Sequence, residues 1–337
     1  MEIKENIPLA PYTTLRIGGP AKYFIEVTNE QELNEGLAFA KARPSFAKGS
    51  PLGELPVFIL GGGSNVLFAD KGFDGLVIRP LIKGRNVQPA SRWTTPNNEI
   101  LVEVGAGEVL DDVIAWTVEN DWWGMENLSF IPGLIGAMVI QNVGAYGQEA
   151  SEVIESVEVM DILTLETKII SNKECKFDYR KSRFNTRDKN KFVILNVTFK
   201  LRKIGKPNIS YKDLQGYFGD KMPKQKEVRG AVIKIRTDKG QDPNEIWSAG
   251  SFFKNFVVSD EEGNRYKISA AQVLDKTLNL KGFQVGGAKL SEQQVLNVVN
   301  TGKATARDCI ELFEKVRDLV GEKTGLTLIN EPEFVGF

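Results

Sequence analysis

The chain has 337 residues, 42% of them apolar and 26% charged, with a net charge of −1. That is enough length for two or three domains with real cores, and the near-neutral balance offers nothing to nucleic acid or to an anionic membrane surface. There is no histidine. The usual neutral-pH proton shuttle and the commonest metal ligand are therefore missing, so acid–base work falls to Ser, Tyr, Lys, Cys or carboxylates and no metal site is expected. The opening MEIKENIPLA lacks the apolar h-region of a signal peptide, and no apolar run reaches membrane-spanning length. Cys175 and Cys309 stand far apart with no CxxC, which fits a reducing cytoplasm.

In chain order, residues 22–27 read as a strand. A helix follows over 30–42, capped by Asn29, with Leu33, Leu37 and Ala40 inward. Residues 43–55, rich in Pro, Gly and Ser, read as a surface loop. A buried strand over 57–60 runs into Gly61-Gly62-Gly63-Ser64-Asn65. This run is neither a dinucleotide GxGxxG nor a Walker A loop. It offers successive amides to a phosphate, with Ser64 and Asn65 as extra donors. Strands over 76–79 and 100–104 come next. The second ends in Gly105-Ala106-Gly107 and leads to a helix over 109–120 with Val109, Val113 and Trp116 on one face.

Residues 127–149 then carry glycine at 133, 136, 144 and 147 behind Pro132, together with Ser129, Gln141, Asn142 and Tyr146. Glycine at this density points to close backbone approach or positive φ rather than to a helix or strand interior. A buried loop must pair its own amides. A planar, polar ligand lying across them meets that need, and a tightly packed turn is the alternative. Three glycine-rich turns in one α+β domain, without either phosphate motif, suit a larger ligand threaded through it.

Beyond residue 149 alternation takes over, with strands over 153–161, 168–170 and 192–201. Between them, FDYRKSRFN at 177–185 reads by composition as a solvated basic turn. Residues 202–248 are polar and mixed, with Tyr211-Lys212-Asp213-Leu214 and a helix near 228–236. AGSFFKN at 249–255 reads as a bend that buries two rings and projects Ser251. Helices over 269–278 and 305–320 close the chain. The latter has Thr305 and Asp308 in a capping-box arrangement, Cys309, Leu312, Phe313, Val316 and Leu319 inward, and Gly321 as its stop.

Taken in order, LGGGSNVLF, VGAGE, ENLSFIPGLIGAMVIQNVGAYGQE, YRKSRFN, AGSFFKN, KGFQVGGAKLSEQQVL and GEKTGLTLINE resemble the motifs of the MurB family, the UDP-N-acetylenolpyruvoylglucosamine reductases. They span residues 60–331. SYKDL, with RTDKGQDP after it, resembles the family variant that keeps a substrate-binding tyrosine loop. The resemblance implies an α+β fold. A vanillyl-alcohol-oxidase-type (PCMH-like) FAD-binding domain in two subdomains would cover 1–202, split near 80, with the tail 322–337 returning to the first. A C-terminal α+β substrate-binding domain would cover 203–321.

The resemblance also implies roles for residues. FAD would be held by Gly61, Gly62, Gly63, Ser64, Asn65, Gly105, Gly107, Ser129, Pro132, Gly133, Gly136, Gln141, Asn142, Gly144, Ala145 and Tyr146. NADPH would supply hydride to reduce UDP-N-acetylglucosamine enolpyruvate to UDP-N-acetylmuramate in peptidoglycan precursor synthesis. The catalytic residues would be Arg180 at the substrate carboxylate, Ser251 as proton donor and Glu331 from the tail. Tyr179, Tyr211, Lys239, Asn255 and Gln294 would bind the UDP-amino sugar. A cytoplasmic monomer with no nucleic-acid or membrane partner is the expected setting.

The match has departures. Met138-Val139 replace the usual small or polar residue before the Gln-Asn pair, residues 43–55 look longer than usual, and Glu333 rivals Glu331. A different flavin oxidase on the same FAD fold would explain the glycine turns but not YRKSRFN or AGSFFKN. A non-enzymatic carbohydrate-binding protein would not need Arg180, Ser251 and a C-terminal glutamate together. With no histidine, the covalent histidyl-flavin link found in some relatives of the fold is impossible. Acid precipitation should therefore release all flavin into the supernatant, and flavin retained in the protein pellet would contradict a non-covalent cofactor.

Overall fold

Helix Glu30–Lys41 starts where Asn29 accepts a hydrogen bond from the Glu32 amide, and it buries Leu33, Leu37 and Ala40 as its spacing requires. It belongs to a computed structural model that describes residues 2–43, 55–88 and 98–337. The loop expected over 43–55 lies almost wholly outside the described residues. The chain divides into two compact units: Met1–Lys4, Phe24–Gly62 and Gly75–Arg236 form the first, and Glu5–Tyr23, Gly63–Asp74 and Thr237–Phe337 the second. A four-stranded sheet has the order Lys4–Pro8, Pro20–Val27, Phe73–Pro80, Val57–Ile59. Its last pair is parallel, with Val57 opposite Leu76 and Ile59 opposite Ile78.

The first unit is built on a five-stranded sheet ordered Thr167–Ser171, Ile154–Asp161, Phe192–Arg202, Glu99–Gly105, Arg85–Val87. Its pairings are antiparallel, Val157 facing Val197 and Phe199 facing Val102. From Leu195 the central strand alternates, burying Val197, Phe199 and Leu201 against the core. Helix Leu110–Glu119 covers this core. It corrects one expectation: Val109 is an exposed residue before the first turn, and Leu110, Val113, Ile114 and Thr117 make the inward face. Residues 127–149 also differ from the expected irregular loop, because Ile135–Ile140 is a short helix with Gly136 inside it. Helix Gln225–Asp238 is longer than the periodicity suggests, and Lys212–Phe218 is a further helix.

Between the sheet strands, the basic segment is held rather than loose. Asp188, only 5% exposed, receives hydrogen bonds from Arg183 at 2.5 Å and Arg187 at 3.1 Å, with Lys191 at 3.4 Å. Arg187 and Lys191 are mostly exposed, so water screens them and Arg183 carries the pairing.

The second unit pairs Ser248–Ser251, Asn297–Asn300, Ala288–Leu290 and Gln284–Val285 in that order. Helix Ala306–Thr324 packs on them. Thr305 and Asp308 form the expected capping box, and the Asp70 carboxylate adds bonds to the Ala306 and Arg307 amides. The helix runs on through Gly321 and stops at Gly325, which takes φ 70°. Gly321 gives a helix freedom it does not use; only the αL position needs glycine. The AGSFFKN bend buries Phe252 and Phe253 as expected, at 0% and 1% exposure. Phe253 stacks on Phe313 at 6.0 Å, and Phe334 meets Phe252 at 5.8 Å. Each fully buried phenylalanine stabilises by about 1.5–3 kcal/mol.

The Asp188 carboxyl generates a pH prediction. Burial raises its pKa, but the hydrogen bonds from Arg187 and Arg183 outweigh burial and hold it at about 2. Its folded value lies below its unfolded one, so its stabilisation is full above about pH 4 and is lost as pH falls toward 2. Asp188→Asn should cost about 1.5–3 kcal/mol in denaturant titrations at neutral pH. The gap from the parent chain should close between about pH 4 and pH 2.

Candidate active site

In the first unit, the glycine-rich turns are close backbone contacts. A Cβ on Gly61 would stand 2.7 Å from the Ala137 Cβ, one on Gly62 2.7 Å from the Gly133 Cα, and one on Gly136 2.9 Å from the Ala106 Cβ. On Gly105 and Gly107 a Cβ would come within 2.4 Å of the backbone of Ile82 and Leu81. The amides are stitched to match. Gly105 donates to Gly84, Gly107 to Ile82, Gly136 to Ala106, Ile135 to Glu108, and Leu110 to the Gly133 carbonyl. The Glu108 carboxylate accepts from Arg85 and from the Gly84 amide. Burial raises its pKa, and those bonds outweigh burial and lower it overall.

The same unit shows where the polar residues of 127–149 go. Buried Ser129 donates to the Glu126 carbonyl at 2.6 Å. Asn142, 1% exposed and at φ 46°, donates to the Glu149 carboxylate and the Asp178 carbonyl and accepts from the Ser151 amide. That is the work of a cross-link. Tyr146 is nearly buried and meets the half-exposed Tyr211 edge-on, with centroids 5.5 Å apart. Burial pushes the Tyr146 phenol up to about 12, so it stays neutral, with its oxygen an acceptor for Arg236. Its hydroxyl bonds Arg236, whose Nε donates to the Phe130 carbonyl at 3.1 Å. Gln141, Gly144 and Ala145 lie on the same segment, half-buried.

Sequence reasoning missed Asp111, Arg229 and Arg236. Arg229 grips Asp111 with two bonds of 2.6 and 2.9 Å, and Asp111 accepts from the Phe130 amide. The available signal was the seven-residue spacing of the two arginines on one helix face.

Arg180 sits in a two-residue turn closed by bonds in both directions between Asp178 and Lys181. It holds φ 54° and donates from Nη2 to the Gly144 carbonyl at 2.8 Å. Tyr179 is the other residue of the turn, and the guanidinium lies 5.3 Å from its ring centroid.

In the second unit, the backbone of 252–254 pairs with 329–331. Glu331 donates its amide to Phe252, Lys254 donates to Ile329, and Phe253 bridges Asn330. This brings Glu331 beside the strand end that carries Ser251. The Asn65 side chain donates to the Glu331 carbonyl, and the Glu333 amide donates to the Asn65 carbonyl. Glu333 opens strand Glu333–Val335, parallel to Val66–Phe68. Gly63 takes φ 66°, and a Cβ there would stand 1.9 Å from the Tyr12 carbonyl oxygen. Asn255 accepts from the Ala270 amide, while Lys239 and Gln294 are half-buried elsewhere in the unit.

Two family models match the chain: an FAD binding domain over residues 21–163, and a UDP-N-acetylenolpyruvoylglucosamine reductase C-terminal domain over 242–335. The UDP-N-acetylenolpyruvoylglucosamine reductase of Cutibacterium acnes is 37% identical, covering 98% of this chain and 90% of that one. The chain belongs to the UDP-N-acetylenolpyruvoylglucosamine reductase family. The Streptomyces coelicolor reductase is 36% identical over the same shares of both chains. The crystal structure of the MurB reductase from Thermus caldophilus aligns over 100% of both chains with a TM-score of 0.68 at 25% identity. The α+β class expected of this family is the one observed.

The residues present fit the FAD that the family implies. Stretches 61–65 and 129–136 contain no acidic side chain to repel a diphosphate. In the first unit, the turn within 129–136 places Gly133 at positive φ, a conformation in which successive amides can converge on an anion. Arg236 adds a cation beside Phe130.

The backbone pairings of the two tail glutamates differ. Glu331 lies opposite the Ser251–Phe252 backbone, whereas Glu333 is tied to Asn65 and Val66. Glu331→Gln should reduce turnover by orders of magnitude and Glu333→Gln only slightly, in steady-state assays of NADPH oxidation. The opposite ranking would reverse the assignment.

Proposed function

We propose that this chain reduces UDP-N-acetylglucosamine enolpyruvate to UDP-N-acetylmuramate, a step of peptidoglycan precursor synthesis. As a member of the reductase family it is an FAD-dependent oxidoreductase with NADPH as reductant. FAD held at the turns of residues 105–107 and 129–146 would supply hydride, drawn from NADPH, to the methylene end of the enolpyruvyl group. The chain's own residues must then manage charge and a proton. Negative charge builds on the carbon bearing the ether oxygen and spreads into the carboxylate. Arg180 faces that need as a fixed cation, since a guanidinium in a set orientation stabilises developing charge without reorganising.

Ser251 delivers the proton to that carbon. A serine is a poor acid in water, so it needs a charged or hydrogen-bonded neighbour. The observation that carries this reading is the backbone pairing that sets Glu331 alongside the Ser251 strand end. In a chain with no histidine, the acid–base work of the reaction is assigned to these two residues. Tyr179, Tyr211, Lys239, Asn255 and Gln294 are assigned to the UDP-amino sugar, and SYKDL to a substrate-binding tyrosine loop. By ligand, residues 1–202 with the tail 322–337 are assigned to the flavin and 203–321 to the sugar nucleotide. Among the described residues no helix is long and apolar enough to cross a membrane. A monomer acting in the cytoplasm is the proposed setting.

Ser251→Ala separates the two half-reactions. NADPH should still bleach the flavin at near the normal rate, because that step needs no proton from Ser251. Reoxidation by the enolpyruvyl substrate should slow by ~10²–10⁴-fold, the usual worth of a general acid. Ser251→Cys should keep part of the activity, since a thiol also donates. Stopped-flow flavin absorbance decides it, and reoxidation of the Ala variant at the parent rate would refute the proton-donor role.

A further inference from the structure

We infer that Ser182 and Asn185 are positioning residues for Arg180. The inference rests on the reading of Arg180 as the cation for the substrate carboxylate. Arg180 occupies the left-handed region at φ 54°, which crowds the Cβ of an L residue against the following carbonyl oxygen and is disfavoured. A residue in that state persists only where its surroundings over-determine it. Here the surroundings are specific.

The segment after the turn begins with Ser182, which is fully buried. Its hydroxyl donates to the Ile140 carbonyl at 2.6 Å and accepts from the Phe184 amide at 3.1 Å. Its own amide is bound by Asn185 Oδ1 at 2.9 Å, and its carbonyl accepts from the Thr186 hydroxyl at 2.6 Å. Asn185 then uses Nδ2 to hold the Arg180 carbonyl at 3.2 Å. One buried serine therefore fastens the exit of the turn to the end of helix Ile135–Ile140, and one asparagine clamps the arginine's own peptide. The entrance is fastened to the same place, where Asn142 donates to the Asp178 carbonyl. The guanidinium reaches back to Gly144 on that same segment.

The frame acts on Arg180 and on no reacting atom. Loss of the Ser182 hydroxyl frees the turn to relax out of the left-handed state, and the guanidinium moves with it. A shift of about 1 Å in a charge-stabilising group can cost on the order of 100-fold in rate. The sequence alone hides this, since Ser-Arg-Phe-Asn reads as a basic turn.

A double-mutant cycle tests the inference on the flavin-loaded enzyme, using Ser182→Ala, Arg180→Ala and the pair. Reoxidation by the enolpyruvyl substrate is read by stopped flow, and affinity for the product UDP-N-acetylmuramate by calorimetry. Ser182→Ala should slow reoxidation by about 10-fold or more and weaken product binding, leaving bleaching by NADPH within about twofold of the parent. In the Arg180→Ala background, removing Ser182 should change either readout by less than about twofold, because the group it serves is already gone. Independent, multiplicative losses would overturn the inference while leaving the role of Arg180 intact. If Arg180→Ala itself leaves reoxidation and product binding unchanged, the reading of Arg180 fails and this inference with it. Asn185→Ala, at a half-buried position, supplies a second cycle with the same criteria should Ser182→Ala fail to fold.

Discussion

The short parallel pairing of Glu333–Val335 on Val66–Phe68 governs the second unit. Three residues of ladder are weak alone, but Phe334 carries the tail into the rings of Phe252 and Phe313. The tail thereby becomes part of the core, and the residues just before it are drawn across the AGSFFKN bend. Glu331 is placed by this constraint and not by any local preference of its own. A segment held by so short a ladder is ordinarily subject to fraying. Burial of aromatic area on the far side of Glu331 opposes that fraying.

The glycines tell a related story about the first unit. Gly61, Gly62, Gly105, Gly107 and Gly136 are each needed because another backbone or a small side chain occupies the space of a Cβ. They bring three turns into one layer. The amides of the layer are largely spent on one another, so the tight fit among the turns is the first reason for the glycines. Arg180 shows the opposite device: a residue with a long side chain kept at positive φ by a frame of serine and asparagine bonds.

Much of the architecture was legible from residue pattern. Asn29, the Thr305 and Asp308 box, the alternation from Leu195 to Leu201 and the buried Phe252-Phe253 pair all act locally, through spacing and capping, and they stand as read. The misreadings have local causes as well. Gly321 is tolerated inside a helix whose packing face continues to Val320, while the true stop at Gly325 lies one turn later. Val109 is apolar but precedes the helix, so its apolarity was mistaken for inwardness.

The sequence by itself determined the chemistry available: no histidine, three glycine-rich turns, and an arginine, a serine and a tail glutamate in an order that resembles one reductase family. Those are properties of residue identity and order. Only the tertiary structure decided that Glu331 pairs with Phe252, next to the Ser251 strand end, while Glu333 opens a strand along Val66–Phe68, with Asn65 bonded to both. It likewise decided that Asn142 is spent on a cross-link, and that Asp111, Arg229 and Arg236 gather at Phe130. Each of these depends on contacts between residues tens to hundreds of positions apart. Such contacts are set by how apolar faces pack and how backbones close, and no local window of the sequence contains them.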